Sequence, residues 1–238
     1  MIKAIVFDFD STLSDRRRVI QEIGARFYRE KRQWIPAGVS WEEFGRELFE
    51  SDRNYNHTGW DAAHRDLVKR GFLSEKCPEQ ALFRFVHREY GKVGFLEEGT
   101  RQMLLDFRRQ GYRLGLITNG VRREIQEKKL ELVNLPECFD AILICVEPEQ
   151  KKPNLWPFLE MAGRLGTRPE EMIYVGDNPK NDIEPARRAG YLPVWVSQYT
   201  RWDFPNIEKP EICLSSVLQL PALLETTLKS SAGAENKT

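Results

Sequence analysis

Apolar positions recur along this chain in three successive patterns, and the changes between them divide it. Residues 2–7 form a short, mostly apolar run that ends in two carboxylates one residue apart, Asp8 and Asp10, with Ser11 and Thr12 directly behind. A run of this length, rich in Ile and Val, predicts a buried strand. Ionised groups cost too much at a sheet centre, so both acids belong at the strand's carboxyl end, where open α/β sheets bind ligands.

The second pattern is helical and runs over residues 16–95. Asp15 can cap a helix carrying Val19, Ile20, Ile23 and Phe27 on one face. Ser40 with Glu43 has capping-box spacing ahead of Phe44 and Leu48. Thr58 with Asp61 is a weaker version, opening a helix through Leu67 and Val68 that Gly71 can close. Pro78 suits the first turn of a fourth helix carrying Leu82, Phe83 and Val86, with Gly91 as its stop. Four amphipathic helices without an intervening strand can pack as a bundle, which predicts a helical insertion over 16–95.

From residue 97 onward helices and strands alternate. Helix 98–110 leads to strand 112–118, helix 121–133 to strand 141–146, and helix 155–165 to strand 172–175. A helix ending near Gly190 then leads to strand 192–196, and a short edge strand at 212–214 precedes a last helix at 221–228. This alternation predicts an α/β fold, a Rossmann-like parallel sheet flanked by helices and assembled from 1–15 and 96–228. Residues 229–238 carry too few apolar groups to pack and are expected to be a disordered tail.

Composition narrows the picture. Lys plus Arg equals Asp plus Glu at 36 each, so no overall field recruits nucleic acid or a membrane surface. No apolar run approaches the roughly 18 residues of a spanning helix, and the first one is too short for a secretory signal. Cys77, Cys138, Cys145 and Cys213 lack CxxC spacing. That favours reduced, mostly buried thiols in a cytoplasmic protein over disulfides or a zinc site.

The candidate chemistry sits at the strand ends. Asp8 and Asp10 follow the first strand, Thr118 closes the second, Lys152 lies in the loop after the third and Asp177 follows the fourth. A parallel sheet brings these ends to one edge. Carboxylates there can hold Mg²⁺, while a hydroxyl, a lysine and the backbone at Asn119-Gly120 can orient phosphate oxygens. Each residue alone has a plainer reading. Thr118 could be a strand residue, Asn119-Gly120 a turn, Lys152 a solvated lysine like Lys151, and Asn178 and Asn181 turn formers. Their order and placement together outweigh those readings.

Four motifs carry a family resemblance: DFDST (8–12), LITNG (116–120), KP (152–153) and GDNPKND (176–182). In this order the chain resembles haloacid dehalogenase (HAD) superfamily hydrolases, in particular the phosphatase branch with a helical, C1-type cap. The resemblance implies Mg²⁺-dependent hydrolysis of a small phosphomonoester. Asp8 is similar to the family's nucleophile, which forms an aspartyl-phosphate, and Asp10 to its general acid and base. The metal would be held by the Asp8 carboxylate, the Asp10 backbone carbonyl and Asp177. Asp182 and Asn181 would serve as water-mediated ligands or as partners that orient Lys152 or a metal-bound water. Thr118, Asn119, Gly120 and Lys152 resemble the phosphate binders.

Ser11 stands where many members have glycine, and Glu149 lies in a loop where glycine is common. Among family chemistries, dehalogenation needs no acid at the Asp10 position, so its presence favours phosphate. A sugar phosphomutase would share the core, and a non-catalytic binding relative should have lost some of these residues. Substrate choice is expected to lie in the cap, where Arg53, His57 and Trp60 are the candidate contacts within the polar stretch 51–64, although a solvated loop with core aromatics explains them equally well. One of Arg16, Arg17 and Arg18 could face a cleft, against the plainer reading of a charged helix face.

Overall fold

The computed structural model describes residues 1–55 and 59–225. His57, Thr58 and the tail expected at 229–238 lie outside these described residues. The chain divides into two compact units. One contains Met1–Ser14, Leu96–Gln126 and the described residues from Asn134 onward; the other contains Asp15–Phe95 together with Glu127–Val133.

The first unit is built on six parallel strands, β1 (Ala4–Phe7), β2 (Arg113–Asn119), β3 (Ala141–Cys145), β4 (Met172–Gly176), β5 (Leu192–Val196) and β6 (Ile212–Leu214), in the order β3-β2-β1-β4-β5-β6. β1 is central, its Ala4 paired with Arg113 on one side and Met172 on the other, and its four residues are fully buried. A strand enclosed on both faces cannot alternate polar and apolar positions, which is why it reads as an unbroken apolar run.

The second unit begins with α1 (Arg16–Glu30), α2 (Trp41–Tyr55), α3 (Trp60–Lys69) and α4 (Glu79–Glu89). Asp15 caps α1 by accepting from the Arg18 N–H at 3.0 Å, and Ser40 accepts from Glu43 N–H at 3.1 Å. Pro78 is the N-cap of α4 rather than a residue of its first turn, because its extended ψ of 136° lies outside the helical region. α1 and α2 cross where Gly24 meets Gly45; a Cβ on Gly24 would lie 2.8 Å from the Gly45 Cα. Phe27 fills the centre, with ring centroids 5.5 Å from Phe44 and 5.0 Å from Phe85.

The remaining helices are α5 (Thr100–Arg109), α6 (Arg123–Leu132), α7 (Trp156–Leu165) and the short α8 (Glu184–Arg188). α7 packs on the sheet over Gly115, where any Cβ would stand 2.6 Å from Met161 Sδ. α6 contributes to both units, so the unit that holds Asp15–Phe95 also includes Glu127–Val133. Cys77, Cys138 and Cys145 are buried free thiols. Cys213 is exposed, because edge strand β6 buries only its neighbour Leu214.

Candidate active site

β1 delivers Asp8 directly beyond Phe7, and its N–H donates to the Val175 carbonyl at 2.9 Å. The residue is only 6% exposed. Its Oδ1 accepts from Lys152 Nζ at 2.7 Å and its Oδ2 from Thr12 Oγ1 at 3.2 Å. Thr12 can reach back because the chain turns at Ser11, whose φ of 67° is left-handed. Glycine suits that conformation, so the serine here carries backbone strain that a glycine would not. The Ser14 hydroxyl accepts from the Ser11 N–H at 3.2 Å and ties the turn together.

Lys152 is 5% exposed and surrounded by acceptors: Asp182 Oδ1 at 2.6 Å, Asp8 Oδ1 at 2.7 Å, the Tyr174 hydroxyl at 3.0 Å and the Ile117 carbonyl at 3.1 Å. Its backbone is fixed by a reciprocal pair, in which Asn119 Nδ2 donates to the Lys152 carbonyl and the Lys152 N–H donates to Asn119 Oδ1, at 2.9 and 3.0 Å. The Asn119 side chain therefore holds the lysine loop. The Gly120 N–H donates to the Cys145 carbonyl at 2.9 Å and continues the β2–β3 ladder.

Asp177 and Asp182 come from the end of β4 and the turn after it. Two buried donors, Trp195 Nε1 and Thr200 Oγ1, bond the Asp177 carbonyl at 2.8 Å each. Asp182 accepts on both oxygens: Oδ1 bonds Lys152 and the Tyr174 hydroxyl, and Oδ2 accepts the Asn178 N–H at 2.9 Å. Gly176 makes room for it, since a Cβ there would lie 2.5 Å from the Asp182 Cβ. Asn181 joins the turn through its N–H, which donates to Asn178 Oδ1 at 2.9 Å.

Carboxylate oxygens of Asp8, Asp177 and Asp182 lie within 4.8 Å of one another. Octahedral Mg²⁺ holds oxygens at about 2.1 Å, so its ligands are at most about 4.2 Å apart. The donor set is all oxygen and anionic, as a hard cation requires, and its size is close. Asp182 is more heavily engaged than Asp8, accepting three bonds where Asp8 accepts two, and each carboxylate keeps lone pairs that a cation or its water could use.

Burial pushes Asp8 up to about 7; Lys152 opposes this, while Asp182 and Asp10 reinforce it. A nearby cation would favour its carboxylate form. For Lys152 burial disfavours the ammonium, yet Asp182 and Asp8 outweigh that and hold it well above the ordinary lysine value. The lysine therefore stays charged. Asp10 is half-buried, and its Oδ2 accepts from Gln126 Nε2 at 3.2 Å. The same nitrogen reaches Thr118 Oγ1 at 2.8 Å.

The sheet unit thus gathers Asp8, Asp10, Thr118, Lys152, Asp177 and Asp182. Trp60 and Arg53 lie in the helical unit. Trp60 is 9% exposed and lines a cavity of about 200 Å³ with Arg16, Asp52, Phe83 and His87. Arg53 bonds Glu50 along α2 at 2.5 Å. Arg16 makes a two-pronged pair with Asp52 at 2.6 and 2.7 Å, while Arg17 and Arg18 lie over the Phe49 and Phe95 rings.

Sequence reasoning missed Tyr174, Gln126, Trp195 and Thr200. Tyr174 left a signal, because a tyrosine inside a buried strand needs a partner for its hydroxyl. Gln126 left none, being one polar residue in a charged helix.

The parallel sheet places a buried acid at the end of its central strand, paired to a lysine beside further carboxylates, at the edge where open α/β sheets bind ligands. The family model for haloacid dehalogenase-like hydrolases matches residues 2–190, and the chain belongs to that family. It is 33% identical over 204 residues to the glyceraldehyde 3-phosphate phosphatase of Methanopyrus kandleri, covering 82% of this chain and 84% of that one. It is 30% identical over 241 residues to the N-acylneuraminate-9-phosphatase of Rattus norvegicus, covering 94% of each. Among solved structures, a HAD phosphatase from Thermococcus onnurineus matches with a TM-score of 0.59 and 26% identity, over 94% of this chain and 98% of that one. The magnesium-bound HAD-hydrolase YfnB of Bacillus subtilis matches in fold with a TM-score of 0.72 at 19% identity, over the same shares. No described helix is long and apolar enough to cross a membrane.

Proposed function

We propose that this chain hydrolyses a small phosphomonoester through a covalent aspartyl-phosphate on Asp8. The observation that carries the reading is the buried Asp8–Lys152–Asp182 cluster, with Asp177 within ligand range and Asp10 two residues from the nucleophile. An Asp8 oxygen attacks phosphorus while the bond to the leaving oxygen breaks, and Asp10 passes its proton to that oxygen. Asp10, now a carboxylate, takes a proton from water, which attacks phosphorus, breaks the Asp8–phosphate bond and releases inorganic phosphate. Lys152 keeps a positive charge beside the reacting oxygens, and Thr118 supplies a hydroxyl to the phosphoryl group. Mg²⁺, held by Asp8, Asp177 and the Asp10 backbone with Asp182 behind, would neutralise the anionic substrate. The glyceraldehyde 3-phosphate phosphatase and the N-acylneuraminate-9-phosphatase, both named for small phosphate esters, support this reading.

The test is turnover of p-nitrophenyl phosphate. Asp8→Asn should lower it at least about 10³-fold with an unchanged far-UV spectrum, and EDTA should abolish the wild-type rate. Normal hydrolysis by the variant, or full activity in EDTA, would overturn the reading.

A further inference from the structure

We propose that Gln126 is a positioning residue for the proton-transfer acid, an inference that rests on Asp10 having that role. The Gln126 side chain is 4% exposed, and its Nε2 lies 2.8 Å from the Asn119 carbonyl, 2.8 Å from Thr118 Oγ1 and 3.2 Å from Asp10 Oδ2. A carbonyl and a carboxylate are pure acceptors, so only the amide nitrogen, not its oxygen, can face this group. Two N–H bonds shared among three acceptors tie the acid to the end of β2, where Thr118 stands.

The backbone makes room for this arrangement. A Cβ on Gly120 would lie 2.8 Å from Gln126 Cγ, so the bare glycine admits the glutamine. Gly120 thus serves the site by what it leaves out, its own N–H being bonded to Cys145.

The chemistry asks for such a donor. Asp10 must present the same carboxyl oxygen when it gives its proton to the leaving group and when it takes one from water. An amide N–H donates to Oδ2 whether the carboxyl is protonated or ionised, and it cannot lose its own proton at working pH. Gln126 therefore fixes the rotation of the Asp10 carboxyl without competing for the transferred proton. A misplacement of about 1 Å at a proton-transfer group costs on the order of 10²-fold.

The experiment measures kcat/KM, which reports the step in which the leaving group departs, for a series of substituted phenyl phosphates. p-Nitrophenolate leaves without a proton, whereas phenolate and poorer leaving groups need one. Gln126→Met, equal in length but without a donor, should lose about 10-fold or more on phenyl phosphate and little on p-nitrophenyl phosphate. Asp10→Asn should show the same slope more steeply. Gly120→Ala, which displaces an unchanged Gln126, should reproduce the Met variant and replaces it if that variant does not fold. If Asp10→Asn depends on the leaving group but neither Gln126→Met nor Gly120→Ala does, the inference fails and the reading of Asp10 stands. If Asp10→Asn is equally impaired on every ester, the acid assignment itself fails, and the role of Gln126 with it.

Discussion

Two charge clusters, one in each unit, are built on opposite balances. Around Lys152, one buried ammonium faces Asp8 and Asp182, with Asp10 and Asp177 close by in the chain, so negative charge is in excess. Around Glu89 in the helical unit, one carboxylate meets Arg26, Arg88 and Lys92 at 3.1, 2.8 and 3.0 Å. The titration directions follow. Burial pushes Asp8 up to about 7 despite Lys152. Burial also pushes Glu89 up, but its bonds from Arg88, Lys92 and Arg26 outweigh this and bring it down to about 2. A carboxylate enclosed by cations is held ionised, whereas carboxylates in excess around one buried cation are pushed towards their neutral form.

The sharpest way to break this contrast is Lys152→Met. It would leave Asp8 and Asp182 buried without their cation, and should cost about 3–5 kcal/mol in denaturant unfolding besides removing turnover. A loss under about 1 kcal/mol would mean that the lysine does not hold the site together.

Glu89→Gln should cost less, about 1–2 kcal/mol, because Arg88 and Lys92 are 45% and 55% exposed and water screens them. Its pH dependence sharpens the comparison. A carboxylate depressed in the folded state binds fewer protons than in the unfolded chain, so its contribution is complete above the ordinary glutamate value and is lost as pH falls towards 2. The difference in Tm between wild type and variant should therefore be full at neutral pH and shrink on acidification. A constant difference would remove the ionic explanation. The smallest effect is expected at Ser11→Gly, where release of the left-handed strain should raise stability by less than about 1 kcal/mol, visible as a slight rise in Tm.

The sheet and its motif-bearing ends were legible because local pattern and chemistry coincide there. Apolar runs enclosed by helices can be little else than parallel strands, and β1, β2 and β4 end in or lead directly into polar residues that a sheet interior would reject. What resisted reading depends on contacts between distant residues. The match between the Asn119 side-chain amide and the Lys152 peptide group joins residues far apart in the chain. The phenol of Tyr174 completes the lysine's surroundings from within an apolar strand. Gln126 is indistinguishable in sequence from its charged neighbours until α6 is set against β2. The division of α6 between units leaves no periodic signature, because a continuous helix keeps one period whatever packs around it.

The central position of β1 also constrains the order in which this molecule can be completed. Ala4 emerges from the ribosome long before its hydrogen-bonding neighbours around Arg113 and Met172. The strand carrying Asp8 must wait, unpaired, while α1 to α4 are synthesised, and it is bonded on both edges only once β4 exists. A nascent chain cut short before Met172 has Asp8 but lacks Asp177 and Asp182. During translation the aspartate is thus the first part of the site to be made, and it remains without those acidic partners until β4 and the turn after it have been added.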